Sequence, residues 1–167
     1  MIMVILLDAG PLGLVTHPAG GEEARLCKGW FEEELRAGNR ICIPAIADYE
    51  VRRELARAGR QKSLQKLDEL IDQLGYIPLL GETIRTAAEL WADARRQGLP
   101  TAPPAALDAD CLLAAQARTF LSLNRSHRWV KLTRDERVQG INVVVATTNA
   151  GHLGRYANVI EIPRHRP

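Results

Sequence analysis

The sequence is poor in cysteine, and the three it has stand apart. Cys27, Cys42 and Cys111 form no CxxC pair and no cysteine–histidine spacing of the kind that holds zinc. An odd number at such distances excludes a disulfide framework, and the apolar neighbours Ile41 and Ile43 mark Cys42 as a small core residue. The expectation is a reducing, cytoplasmic compartment. No apolar run approaches the roughly 20 residues that cross a bilayer, so no membrane association is expected. The apolar residues 1–7 have no basic residue before them and no clean cleavage site after them, which argues against a signal peptide. Internal repeats, low-complexity blocks and long linkers are missing too. Nor does charge of one sign dominate: Lys and Arg number 22 against 20 Asp and Glu, and a pI of 8.6 is only a weak hint of an anionic partner.

What is there suits one globular domain. A chain of 167 residues, 46% hydrophobic and 25% charged, is long enough to bury a core. The apolar run ends on Asp8, followed by the turn residues Ala9, Gly10 and Pro11, and reads as a strand buried on both faces. Helical spacing follows over Glu22 to Ala37, closed by Gly38-Asn39. Ile41 to Ile43 is a short strand, Ala45 to Ala58 a helix broken by Gly59, and Leu64, Leu67, Ile71 and Leu74 line another helix. A strand at Tyr76 to Leu79 precedes a helix marked by Ile84, Ala87, Ala88, Trp91 and Ala94, which ends near Gly98-Leu99-Pro100. An Ala/Pro-rich connection leads to a helix at Ala109 to Arg118, then to a strand at Ile141 to Ala146 and an edge strand at Asn158 to Ile162. This alternation predicts an α/β fold: a single-domain three-layer α/β/α sandwich with a mainly parallel central sheet, covering residues 1–162, and a short C-terminal tail at 163–167.

Ligands of parallel sheets collect at the carboxyl ends of the strands, so the acids at those ends matter. Asp8 stands at one. Asp48 and Glu50 open the helix after the second strand; two residues apart, they lie about 200° around the helix and cannot share a face. Asp108 and Asp110 sit near the start of the helix after the connection. If Asp108 is the N-cap, Leu107 and Leu112 make a hydrophobic staple and Asp110 is the functional candidate; if the helix starts at Pro103-Pro104, that capping fails. Thr147, Thr148 and Asn149 arrive at the carboxyl end of the late β-branched strand.

These segments, Asp8 after a strand, Glu50 in ADYEVRREL, Asp110 in DADCLLAAQA and Asn149 in VVVATTNAGHL, resemble in order and spacing the four signature segments of the PIN domain family, in particular its VapC-like toxin ribonucleases. The resemblance implies a pocket holding Mg²⁺ or Mn²⁺ and endonucleolytic cleavage of RNA. It also implies an antitoxin protein as a possible partner and a homodimer. Carried over by position, Asp8, Glu50 and Asp110 match the metal-binding acids, with Asp8 and Asp110 the strongest ligand candidates and Glu50 a ligand or an acceptor for a water beside the metal. Asn149 falls where many members carry an aspartate, and others an asparagine, and completes the catalytic set. Thr147, Thr148 and Arg53 are candidates for contact with phosphate. Hard cations suit such oxygen donors, and without a metal the acids would repel both one another and the substrate.

Plainer readings stand beside these. Asp48 reads as solvated or as a helix-start charge, Arg52 and Arg53 are more often surface charges than phosphate contacts, and His152 fits a local loop hydrogen bond. Cys111 has no recognisable base beside it. Arg125, Arg128, Lys131, Arg134 and Arg137 recur every third residue, which on an α-helix would wrap around it rather than line one face. Within that segment Trp129 either stacks on an RNA base or packs on the core in a solvated loop. The alternative function is a catalytically degenerate PIN-like RNA-binding or scaffold module, kept open by Asn149. A phosphatase of another α/β fold ranks last, because Asp8 is followed by Ala9-Gly10 and not by a second aspartate.

Overall fold

The structure, a computed structural model, describes residues 2–18, 20–98 and 104–162. The expected connection at 99–103 and the tail at 163–167 lie outside the described residues, as does the side chain of His152. Five parallel strands form one sheet in the order β3-β2-β1-β4-β5. They are β1 (Ile2–Leu7), β2 (Arg40–Pro44), β3 (Gly75–Ile77), β4 (Ile141–Thr147) and β5 (Val159–Glu161). β1 is central, in register with both neighbours at Val4, opposite Arg40 of β2 and Val143 of β4.

The apolar run of β1 is buried on both sides because alternate residues enter different cores. Ile5 and Leu7 join Leu12, Ile43, Val51 and Leu67 on one face. There α1 (Ala9–Thr16), α2 (Glu22–Arg36), α3 (Ala45–Arg57) and α4 (Gln61–Gln73) cover the sheet. Val4 and Leu6 join Cys42, Leu113, Phe120 and Val145 on the other face, under α6 (Pro104–His127), against which α5 (Gly81–Arg96) packs in turn. Helices therefore flank the sheet on both sides, as the strand–helix alternation predicts. Gly38 and Gly59 take left-handed backbone, φ +84° and +63°, where α2 and α3 stop.

Three local expectations are corrected. Ala9, Gly10 and Pro11 are not a turn but the first turn of α1, with Asp8 as N-cap; Pro11 is tolerated there because first-turn N–H groups have no intrahelical partner. The helix expected over Ala109 to Arg118 runs from Pro104 to His127, since Leu113, Ala117, Phe120 and Leu123 continue one buried stripe. Asp108 is consequently an exposed residue of its second turn, not an N-cap, and the staple of Leu107 and Leu112 does not arise. The segment at 125–137 is neither one helix nor a plain loop. It holds the end of α6, a six-residue link and α7 (Arg134–Gln139), whose start is fixed by a capping box between Thr133 and Glu136.

Candidate active site

The carboxyl edge of the sheet gathers the acids. Asp8 leaves β1 with its backbone N–H bonded to the Ala146 carbonyl of β4 at 2.9 Å, so the central strand pair fixes its position. Its side chain accepts from its neighbour Ala9 N–H at 2.7 Å and from the Thr147 hydroxyl at 2.7 Å. That hydroxyl in turn accepts from the Asn149 N–H at 3.0 Å. One threonine thus holds both the acid at the end of β1 and the turn that follows β4. Burial raises the Asp8 pKa above the ordinary carboxylate value, and the bonds from Thr147 and Ala9 oppose that rise.

Thr147 is 0% exposed. Its hydroxyl is engaged with Asp8 on one side and with the Asn149 N–H on the other. Thr148 is half-buried and Asn149 exposed at the same edge. A Cβ on Gly10 would come within 2.5 Å of the Thr148 hydroxyl, so α1 and the end of β4 approach closely because residue 10 has no side chain.

Glu50 comes in on α3 and Asp110 on α6. Burial first raises the Glu50 pKa; the charges of Asp8 and Asp110 raise it further, while Arg53 lowers it. Glu50 thus senses both other acids, although they reach it from different segments. Arg53 is exposed, lies over the Tyr49 ring at 5.3 Å, and is near enough to Glu50 to act on its charge. Asp48, two residues before Glu50, faces elsewhere. It accepts from Arg52 at 2.9 Å and from the Tyr76 hydroxyl at 3.3 Å, while Arg52 also reaches Asp68 at 2.8 Å. Asp48 stands in the first turn of α3, the helix-start charge that was expected, but it is not solvated: it forms a partly buried clasp joining α3, α4 and β3. Arg52 is engaged in that clasp.

Sequence reasoning gave no role to Gln116, which is completely buried inside α6. Its amide nitrogen donates to the Ile77 carbonyl at 2.6 Å, at the end of β3, and its oxygen accepts from the Ile46 N–H at 3.4 Å, in the first turn of α3. It ties the helix that carries Asp110 to the helix that carries Glu50. A single polar residue inside the apolar stripe Leu113–Ala117–Phe120 was the available signal. The cysteines take no part: burial pushes the Cys42 thiol up to about 12 and Cys111 to about 11.

The donor set is suited to a hard cation, being carboxylates with a hydroxyl and an amide close by. Among the described residues, however, no three Asp, Glu, His or Cys side chains form a group that could hold a metal ion. Glu50 senses Asp8 and Asp110, but the described acids do not close into a cage. Mg²⁺ characteristically keeps several waters and uses one or two carboxylates, and this open arrangement fits that habit.

Comparison with known proteins agrees with the fold and the family. The PIN domain family matches residues 5–143, a span that includes Asp8, Glu50 and Asp110 and stops before Thr147 and Asn149. The chain belongs to the PIN domain family. Its fold is similar to that in VapBC2 of Rickettsia felis bound to a promoter DNA fragment, with a TM-score of 0.66 at 15% identity over 95% of this chain and 98% of that one. DNA-bound VapBC of Salmonella typhimurium gives 0.64 at 16% identity over 98% and 100%. VapBC-1 of nontypeable Haemophilus influenzae gives 0.58 at 14% over 95% and 98%. No curated protein sequence matches the chain at a significant level.

Proposed function

We propose that this protein is a divalent-metal-dependent endoribonuclease, the toxin of a type II toxin–antitoxin pair, with its nuclease domain over residues 1–162. The observation that carries the reading is that Glu50 lies close enough to both Asp8 and Asp110 to feel their charges at the carboxyl edge of a PIN-family sheet. Asp8 and Asp110 would hold Mg²⁺ or Mn²⁺, with Glu50 as third ligand or proton acceptor. When bound, the ion supplies positive charge that acidifies water and offsets the charge building on the phosphate. Thr147 keeps the Asp8 carboxylate oriented. Glu50, with its raised pKa, is suited to take a proton from an attacking water. Thr148 and Arg53 would steady phosphate oxygens, and Asn149 would hold a water beside the metal.

The similarity to VapBC complexes supports an antitoxin partner, and the chain is expected to act in the cytoplasm as a homodimer. Ile84 and Trp91, both exposed and seven residues apart on α5, leave an apolar strip of the kind a partner covers. Light scattering that finds only monomers over a wide concentration range would remove the dimer.

The test is cleavage of a total-RNA pool with and without chelator, comparing wild type, Asp110→Asn and Asp108→Asn. Asp110→Asn keeps size and hydrogen bonding but removes the charge, and should abolish metal-dependent cleavage. The exposed Asp108→Asn should retain it. Cleavage that survives in Asp110→Asn would refute the assignment. RNA binding with no cleavage under any metal would favour the degenerate module, a reading that Asn149, an amide where many members carry an acid, keeps in view.

A further inference from the structure

A second charged feature lies at the opposite, amino edge of the sheet. A groove of about 600 Å³ is lined there by Arg125, Arg128, Lys131 and Arg137, with Leu132 and Ile141 among its apolar lining. Ile141 opens β4 beside Ile2 of β1, so the groove and the acids are separated by the length of the central strands.

The groove is framed by firm local structure. After α6 ends at His127, Arg128 adopts left-handed backbone, φ +53°, the one non-glycine residue to do so among those described. Its N–H closes the helix on the Asn124 carbonyl at 3.0 Å. The buried Asn124 side chain then accepts from Val130 N–H at 2.9 Å and donates to the Val130 carbonyl at 3.1 Å, which pins the reversal of the chain. Beyond it, Glu136 is buried and bonded to Arg40 at 2.9 Å, tethering α7 to β2. Among the described residues no carboxylate pairs with Arg125, Arg128 or Lys131. The dipole of α6 accounts for cations at its own end, but not for Lys131 beyond the reversal.

We propose that this groove is an exosite for the RNA backbone: it takes phosphates of the strand whose scissile bond lies at the acidic edge. The proposal rests on the ribonuclease reading and extends it. α6 connects the two places, since Asp110 and Arg128 are 18 residues apart and an α-helix rises about 1.5 Å per residue, giving roughly 27 Å. That length is several nucleotides of extended strand, within the ~4–16 that a cationic single-strand groove occupies. Arg118 stands between them, exposed, bonded to the Tyr156 carbonyl, and seven residues before Arg125 on the same side of the helix. Among the described residues no aromatic ring lines the groove; Trp129 instead stacks on His127 and packs against the core. Contact is therefore with phosphates and not with bases, and selectivity is for strand length over sequence.

The experiment measures binding by fluorescence anisotropy in the cleavage-dead Asp110→Asn background. The probes are one oligonucleotide of about four nucleotides and one of about twenty. Arg128→Gly with Lys131→Gln removes two charges while glycine keeps the left-handed backbone; Arg125→Gln, which leaves the reversal untouched, is the second variant. The expected result is about a tenfold weaker affinity for the long RNA, less than a twofold change for the short one, and a salt slope reduced by about 1.4 for two lost phosphate contacts. Equal losses on both lengths, or no loss on the long one, overturn the exosite. So does binding of a polyglutamate peptide that is lost in both variants while RNA binding is kept, which would make the groove a protein-docking site. The two readings fail separately. Wild type that never cleaves, with length-dependent binding still lost in the variants, sinks the nuclease and spares the exosite; cleavage with unaltered long-RNA affinity does the reverse.

Discussion

The two edges of the sheet carry opposite charge on the same scaffold. At the carboxyl edge, acids are held close enough that Glu50 senses two others, and burial makes ionisation of Asp8 and Glu50 costly. At the amino edge, cations gather around a groove with no carboxylate paired to three of them among the described residues. Each edge is organised by one buried amide of α6, Gln116 at 0% and Asn124 at 6% exposure, eight residues apart. Gln116 joins helix to helix across the sheet end, while Asn124 only closes a local chain reversal. In the proposed function each edge gains an outside counter-charge, a metal ion at one and an RNA strand at the other. The geometry at each is set by neutral groups behind the charged ones.

The largest effect should come from removing a charge at the acidic edge. Asp8→Asn keeps the N-cap, because asparagine caps about as well as aspartate. It should lower the cleavage rate by on the order of 10²-fold or more and abolish Mn²⁺ binding in calorimetry. Equal binding by wild type and variant would take Asp8 out of the site.

Next in size are the two amides. Gln116→Leu leaves the Ile77 carbonyl and the Ile46 N–H without partners in the core, which costs about 2 kcal/mol. A melting temperature lower by roughly 4–8 °C is expected for a chain of this length, together with weaker Mn²⁺ binding as Glu50 and Asp110 lose their common support. Asn124→Ala should cost a similar or somewhat smaller amount, about 1–2 kcal/mol, yet weaken long-RNA affinity and leave Mn²⁺ binding as it was. If both variants change the same property, the two edges are not independently organised.

Much of this was legible in the residues, and the gaps have physical causes. The strand ending on Asp8, the parallel sheet and the segments bearing Glu50 and Asp110 could be read because burial on both faces and sharp helix stops leave strong local patterns. α1 was missed because Gly10 and Pro11 look like turn residues, while the cap that starts the helix is the same Asp8 that is proposed for the site. The Asp108 cap failed because α6 begins at Pro104, and a proline start competes with an aspartate start on equal local terms. The capping box Thr133–Glu136 was written in the sequence but lay within a run of cations that drew the reading toward charge. Contacts such as Thr147 to Asp8, 139 residues apart, leave no trace in local spacing.

The smallest predicted effect tests whether the acids are strained without a metal. Glu50 has a pKa raised by burial and by Asp8 and Asp110, against the pull of Arg53. An acid whose folded pKa lies above its unfolded value contributes its full share of stability only below the unfolded value, about 4.3 for glutamate. That share is lost as pH rises through the folded pKa, so at neutral pH the ionised side chain counts against the metal-free fold. Glu50→Gln removes the charge and should raise the melting temperature in chelator by about 1–2 °C at neutral pH, small because the side chain is partly exposed and solvent screens it. The difference should shrink as pH falls toward the unfolded value, where wild type is neutral in both states. With Mn²⁺ added the order should reverse, because wild type gains more from binding to the folded state. A variant less stable than wild type in chelator at neutral pH would show that Glu50 holds the fold together through contacts other than its neighbours' charges.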